Sequence, residues 1–434
     1  MSLRAVFGSC LAVALCGCSS SPSPLDGGHD AGVDAGPGED AGFDAGTDAG
    51  VDAGEDGGAD AGYPGYPAAH PAQPTIITYG GTLLTHPKPV AISFANNDPS
   101  LIDAGDGMVA AFGSSALYTS AGAEYGFADP SPWPAVHLAA SAPATIDDSA
   151  IQSWLAAQLG DPDSGFPAAD PENLYVLFYP AATTVTLSGL QSCQAFAGYH
   201  NNFNALDAGH AYAVIPACPP FFAGQTVDQN LTSSVSHEVL EAITDPYPST
   251  SPGYAEFDAA HVMWGIALGG GEISDFCSQL DESYVTLPGF PYQVQRAWSN
   301  AASLASADPC QPAPPGSVYF NSAPVMTDQV HYSSFGTAIT TGVLITPNTS
   351  RTIDVDLFSD APTDDWQLSA SDLTANHANL DFSFSQPGGN NGDVVQLTIT
   401  YKKALGSLGG APFVVISKSP TQGTHYFVGY VASH

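Results

Sequence analysis

From residue 89 through residue 295 the chain has no lysine and no arginine, although aspartate and glutamate recur throughout that stretch. This gap constrains the fold more than any other feature. A carboxylate removed from water needs a partner or must take up a proton. Glu238, Glu241, Asp245, Glu256, Asp258, Glu272 and Asp275 all lie inside the gap. Either they are solvated, or something other than a sequence-local cation neutralises them. A bound divalent metal would neutralise several at once. Over all 434 residues, 7 Lys+Arg face 43 Asp+Glu, for a formal net charge of −36. A phosphate-binding surface needs clustered basic side chains, so this balance excludes nucleic acid as a partner. It equally excludes a basic membrane-surface patch. The apolar share of 44% is enough for ordinary cores, and the length suits two or three domains.

The N-terminus reads as an address. Arg4 supplies a positive start and Val6 to Leu15 a short apolar run, which marks a secretory signal rather than a spanning helix. The run ends in Leu15-Cys16-Gly17-Cys18, which resembles the bacterial lipobox. Residues 1–17 are then a lipoprotein signal peptide, and Cys18 carries the lipid that holds the chain to the outer membrane or cell surface. An ordinary cleavable signal is the alternative. Residues 18–74 follow as a linker in which Asp-Ala-Gly recurs, as in Asp30-Ala31-Gly32 and Asp34-Ala35-Gly36. Gly at about every fourth position costs a helix about 1 kcal/mol each relative to Ala. A calcium repeat would need nonapeptide spacing. The segment therefore reads as a disordered acidic tether, spanning roughly 40 Å on average.

Four cysteines remain beyond the signal: Cys193, Cys218, Cys277 and Cys310. An even set in an exported chain implies two disulfides. Of the three possible pairings, Cys193–Cys218 and Cys277–Cys310 close local loops and are expected. No Cys-x-x-Cys pair supports a zinc site built on cysteine. Residues 75–312 mix strand and helix signals. Val90 to Phe94, Leu174 to Tyr179 and Tyr212 to Ile215 read as strands, and Asp147 to Leu159 as a helix stopped by Gly160. Residues 313–434 hold seven short strand-like runs punctuated by Asn, Gly, Pro and Asp. Such a pattern predicts an all-β sandwich of Ig-like type with its own core. The expected organisation is an α/β domain over 75–312 and a β-sandwich domain over 313–434, joined at Pro312 to Pro315.

The run Ser233-Ser234-Val235-Ser236-His237-Glu238-Val239-Leu240-Glu241-Ala242-Ile243-Thr244-Asp245-Pro246 is where chemistry is expected. Val235, Val239, Ala242 and Ile243 share one helix face. Ser233 reads as the cap and Pro246 as the end. His237 and Glu241 stand at i and i+4 and project from one side. This resembles the zincin helix His-Glu-x-x-His with Glu241 in place of the second histidine. Carboxylate oxygen binds zinc at about the same distance as imidazole nitrogen. In gluzincins a glutamate from a second helix completes the site, and an aspartate near it braces a ligand histidine. Glu272 and Asp275, in Glu272-Ile273-Ser274-Asp275-Phe276-Cys277, suit those roles, with Glu272 as the expected third ligand and His261 as runner-up. Glu238 is the expected general base. His200 reads first as a satisfied structural histidine; its catalytic alternative is to line the cleft and stabilise an oxyanion. His210 and His425 read as surface or strand-end residues. A Ser-His-Asp hydrolase lacks its Gly-x-Ser-x-Gly elbow.

Taken in order, Cys193, Tyr199-His200, Tyr212 to Pro216, Ser236 to Pro246, Glu272 to Cys277 and Tyr292 to Asn300 resemble the EXORDIUM-like (phosphate-induced protein) family over about residues 80–312. The resemblance implies an exported protein with a zincin-like metal-binding core. The expected function is a surface-anchored, zinc-dependent hydrolase, a peptidase, acting on a peptide or another extracellular substrate. Zinc would be held by His237, Glu241 and Glu272. The alternative is a noncatalytic surface binding or signalling module on the same scaffold.

Overall fold

The computed structural model describes residues 65–206, 208–268, 270–332, 338–374, 377–402 and 410–433. The expected signal peptide, Cys18 and the Asp-Ala-Gly repeats lie outside the described residues. So does the first part of the expected tether.

The α/β region is organised by one five-stranded sheet. Its order is β2 (Val136–His137), β1 (Lys88–Ser93), β3 (Asn173–Tyr179), β5 (Ala208–Pro216) and β4 (Tyr199–Ala205). Adjacent strands pair in parallel from β2 to β5, and β4 closes the edge antiparallel to β5. All seven residues of β3 are buried, as expected of a parallel strand covered on both faces. Side chains alternate between the faces. Leu174, Val176 and Phe178 join a core with α1 (Pro99–Ala111) and α3 (Val227–Thr244). Tyr175, Leu177 and Tyr179 join a second core with Ile151 and Leu155 of α2 (Asp148–Gly160). Asp147 caps α2, accepting from Ser149 N. No helix among the described residues is long and apolar enough to cross a membrane.

The start of α3 departs from expectation. The helix begins at Val227, where Thr226 and Gln229 form a reciprocal capping box. That box satisfies backbone donors at the true N-terminus. Ser233 therefore lies inside the helix, and its hydroxyl donates to Gln293 Oε1 at 3.2 Å.

The β-rich region is a sandwich. One sheet runs Phe320–Pro324, Thr349–Ser359, Val394–Tyr401, Leu380–Phe384. The other runs Asp328–Tyr332, Ala338–Leu344, Gly423–Ala432, Gly410–Ser419, Gln367–Asp372. Val355, Leu357, Leu397 and Ile399 of the first meet Val343, Phe413, Val415 and Val431 of the second in one interior. The strands Asp328–Tyr332 and Gln367–Asp372 escaped the sequence reading because their polar residues interrupt any apolar run.

Two features of the organisation were not expected. Phe427, Val428 and Tyr430 share a core with Phe257, Trp264, Phe276 and Trp298 of the α/β region. The Trp264 and Phe427 rings meet edge to face at 5.2 Å. Residues 65–74, read as the end of the tether, are packed. Ala68 is buried and its N–H donates to Asn391 Oδ1 at 2.9 Å. His70 stacks on Phe358 at 3.5 Å, and Tyr319 donates its hydroxyl to Gln73 Oε1. The hydrogen-bonding partners of this segment lie from 229 to 326 residues away, so local composition carried no sign of them.

Candidate metal centre

Three segments build the site. The first is the last half of α3, where His237 and Glu241 project one turn apart from the same side. Glu238 lies beside them, and Asp245 is the C-cap. The second is the edge strand β4. Tyr199 and Phe203 point into the α2-side core. By alternation, His200 between them points to the opposite face, the one that α3 covers. The third is the stretch Gly270 to Cys277, which ends in the 3-10 turn Asp275–Cys277. This stretch is held to α3 by its backbone. Ser274 N and Asp275 N donate to Glu241 Oε1 at 3.1 and 3.2 Å, and the Ser274 hydroxyl donates to the His237 carbonyl at 3.3 Å. The disulfide Cys277–Cys310 fixes its far end, with Cα atoms 5.7 Å apart. Cys193–Cys218, at 5.1 Å, ties the chain before β4 to the chain after β5. Both expected disulfides are present, and paired cysteines belong to an oxidising, extracytoplasmic compartment.

The donor atoms converge on Glu241. Its Oε2 lies 3.0 Å from His237 Nε2 and 3.8 Å from His200 Nδ1. His200 Nδ1 is also 3.6 Å from Glu238 Oε2, and His200 Nε2 is 3.2 Å from Glu272 Oε1. His237 Nε2 is 3.6 Å from Asp275 Oδ1. Contacts of 3.6 and 3.8 Å are too long for hydrogen bonds. They match the spacing of two donors on one tetrahedral ion, which bonds of 2.0–2.2 Å set at about 3.4 Å. Two trios fall within 4.8 Å of mutual contact: His237, Glu241 and Asp275, and His200, Glu238 and Glu241.

The tautomer of His237 fits a metal ligand. Gln295 donates its amide Nε2 to the Ser274 carbonyl at 2.7 Å, so its Oε1 faces His237 Nδ1 at 2.9 Å. An acceptor there keeps the proton on Nδ1 and turns the lone pair of Nε2 toward Glu241 and Asp275. Asp275 is oriented in turn, its Oδ2 accepting from Gly271 N and Glu272 N at 3.0 and 3.3 Å.

The electrostatics follow from burial without a basic side chain. Glu238, Glu241 and Asp245 are buried. The nearest arginine in sequence, Arg296, is engaged with Asp308 and the Cys310 carbonyl. Burial alone would lower both imidazole pKa values, but the carboxylates outweigh it. Glu272, Glu238 and Glu241 hold His200 well above the usual histidine range. Glu241, Glu238 and Asp275 do the same for His237. Burial pushes Glu241 up to about 7, with His237 opposing and Asp275 adding. It also pushes Asp245 up to about 7, reinforced by neighbouring Glu272.

The structure brings His237, Glu241, Glu238 and His200 together. Glu272 meets His200, while Asp275 faces His237, so the expected set His237, Glu241 and Glu272 is not one of the two trios. The direction of the 3-10 turn decides this, because Glu241 grips its backbone from one side. His261 lies elsewhere, with its Nδ1 2.8 Å from Asp258 Oδ1 and its ring beside Phe427. His210 is buried against Phe203, and His425 stands between Tyr319 and Phe320. Both stand near the start of a strand, as expected, with His210 buried and His425 half-buried. Sequence reading missed Gln295, which lies 58 residues beyond His237 and carries no local signal of its role.

No protein-family model matches the chain, and no curated protein matches it. The expected resemblance to EXORDIUM-like proteins gains no support from these comparisons. Among solved structures, the chain is similar to the BIgI domain of beta protein from S. agalactiae, solved bound to CEACAM1. The two are 7% identical, and the match spans 27% of this chain and 96% of that one, with a TM-score of 0.16.

Proposed function

We propose that the chain is an exported metal-dependent hydrolase, a peptidase, anchored outside the cell through a lipid on Cys18. One observation carries the metal reading: Glu241 is shared by two trios, His237 with Asp275 and His200 with Glu238, whose donor atoms lie within 4.8 Å of one another. His237, Glu241 and Asp275 are the ligands of the proposed catalytic ion. Zinc suits this mixed nitrogen and oxygen set. When bound, a divalent ion would supply an activated water and polarise a scissile carbonyl. Gln295 holds His237 in the binding tautomer, and the Ser274 and Asp275 amides hold Glu241 in place. His237 and Asp275 keep 14% and 13% of their side-chain surface exposed, which leaves the ion an approach from solvent.

The edge strand supports a peptide as substrate. Among the described residues β4 has no strand on its outer side, and an extended peptide can add to such an edge. His200 projects from that strand beside the proposed ion. The purified full chain should hold zinc after dialysis and cleave members of a peptide library. Glu241→Ala should abolish both. Bound metal with no cleavage of any peptide would reject the hydrolase and leave a noncatalytic metal-bearing surface module.

A further inference from the structure

We infer that the centre takes two divalent ions, with Glu241 as the bridge between them. The inference rests on the metal reading above and extends it to the second trio, His200, Glu238 and Glu241.

The geometry separates two sites. The trios have only Glu241 in common, and among the described residues no set within 4.8 Å takes in both histidines. Two donors on one ion, at 2.0–2.2 Å each, stand at most about 4.4 Å apart. A single ion in this arrangement reaches one histidine and leaves the other. Glu241 is built to bridge. Its Oε1 is occupied by two backbone N–H groups, while its Oε2 faces both imidazoles. A shared carboxylate between ions about 3.5–4 Å apart is the arrangement of two-metal hydrolytic centres.

His200 gives a separate line of support. Its side chain is only 5% exposed, yet Nε2 has no hydrogen-bond partner. Glu272 Oε1 is 3.2 Å away but off the N–H direction. Nδ1 stands 3.6 and 3.8 Å from Glu238 and Glu241, beyond hydrogen-bond reach. A buried imidazole without good bonds at either nitrogen is rare and costly. An ion between Nδ1, Glu238 and Glu241 satisfies the ring, and a small rotation then lets Nε2–H donate to Glu272. Such a carboxylate behind a ligand histidine is the usual outer partner of metal sites. Charge points the same way. One divalent ion leaves the carboxylates of Glu238, Glu241, Asp245, Glu272 and Asp275 in excess, and no lysine or arginine lies between residues 89 and 295 to offset them. In this arrangement Glu238 is a ligand of the second ion, not the lone proton acceptor expected from the His-Glu-x-x-Glu pattern.

The test is metal stoichiometry of the full chain, stripped with a chelator, reloaded with zinc and dialysed. The expected result is two equivalents per chain, one in His200→Ala, one in His237→Ala and none in Glu241→Ala. Loading with manganese should give an exchange-coupled magnetic resonance signal. One equivalent in the parent protein, with an uncoupled manganese signal, overturns the two-ion centre and leaves the single-ion hydrolase standing. No bound metal removes both. If His200→Ala does not fold, Glu238→Ala gives the same reading: loss of one equivalent supports the second ion on this trio, and retention of two overturns that placement.

Discussion

Gln295 Oε1 meets His237 Nδ1 at 2.9 Å, while the other end of the same amide donates to the Ser274 carbonyl. One side chain thus sets the histidine tautomer and ties α3 to the turn that carries Asp275. Gln295→Leu keeps the size and removes both bonds. Loss of an outer partner of this kind typically costs 10–100-fold in metal affinity. Zinc titration against a competing chelator should register a loss in that range, with the circular dichroism spectrum unchanged. Unaltered affinity would mean that Gln295 only packs.

Phe427 links the two regions. Its side chain is buried against Trp264 and His261, although it belongs to the sandwich strand Gly423–Ala432. Phe427→Ala should cost about 3–5 kcal/mol, as for other buried aromatics. Because the core is continuous, the loss should be shared. Tryptophan fluorescence and far-ultraviolet dichroism should report a single unfolding transition, shifted together in the variant. Two separate transitions, only one of them shifted, would show that residues 313–434 fold alone.

The parts legible in the sequence were those set by local periodicity. His237 and Glu241 at i and i+4 had to share a helix side, and the disulfides closed the two shortest loops. The choice between Glu272 and Asp275 was not legible. The two residues are three apart on a tight turn, and backbone bonds from Ser274 and Asp275 to Glu241 decide which one faces His237. The placement of His200 needed the register of β4 on β5, where it stands opposite Ala213. The shared core did leave a trace. Phe427, Val428, Gly429, Tyr430, Val431 and Ala432 run without a charged residue, and a run without alternation signals cover on both faces; all six are buried. An isolated sandwich would have put every second residue in water.

His425 should make the protein acid-sensitive. Burial pushes its pKa from 6.5 down to about 4, with Asp308 opposing and Arg296 adding. The unfolded chain therefore takes up a proton near pH 6.5, whereas the folded chain resists until about pH 4. Stability from this group is fully present above pH 6.5 and is lost as pH falls toward 4. The loss amounts to about 3 kcal/mol. His425→Phe keeps an aromatic ring between Tyr319 and Phe320 and removes the titration. Urea unfolding at pH 7 and pH 4.5 should show a smaller difference between the two pH values in the variant. An equal difference would place the acid sensitivity elsewhere.

Two glycines offer a way to disturb each half of the centre without touching a ligand. A Cβ on Gly198 would lie 2.7 Å from Glu238 Oε1 and 2.8 Å from its Cγ. A Cβ on Gly270 would lie 1.9 Å from Asp275 Oδ2 and 2.0 Å from its Cγ. Neither contact is possible between real atoms, and in each case most of the carboxylate side chain must move. Gly198→Ala should therefore displace Glu238 and weaken the His200 half, leaving the ion on His237 in place. Gly270→Ala should displace Asp275 and weaken the His237 half. Zinc content measured against thermal stability separates a local effect from a global one. The expected pattern is one equivalent lost in each variant, with melting temperatures of the metal-free proteins close to the parent. If both variants lose all bound zinc, the two halves bind as a single unit. If neither loses any, Glu238 and Asp275 are not ligands.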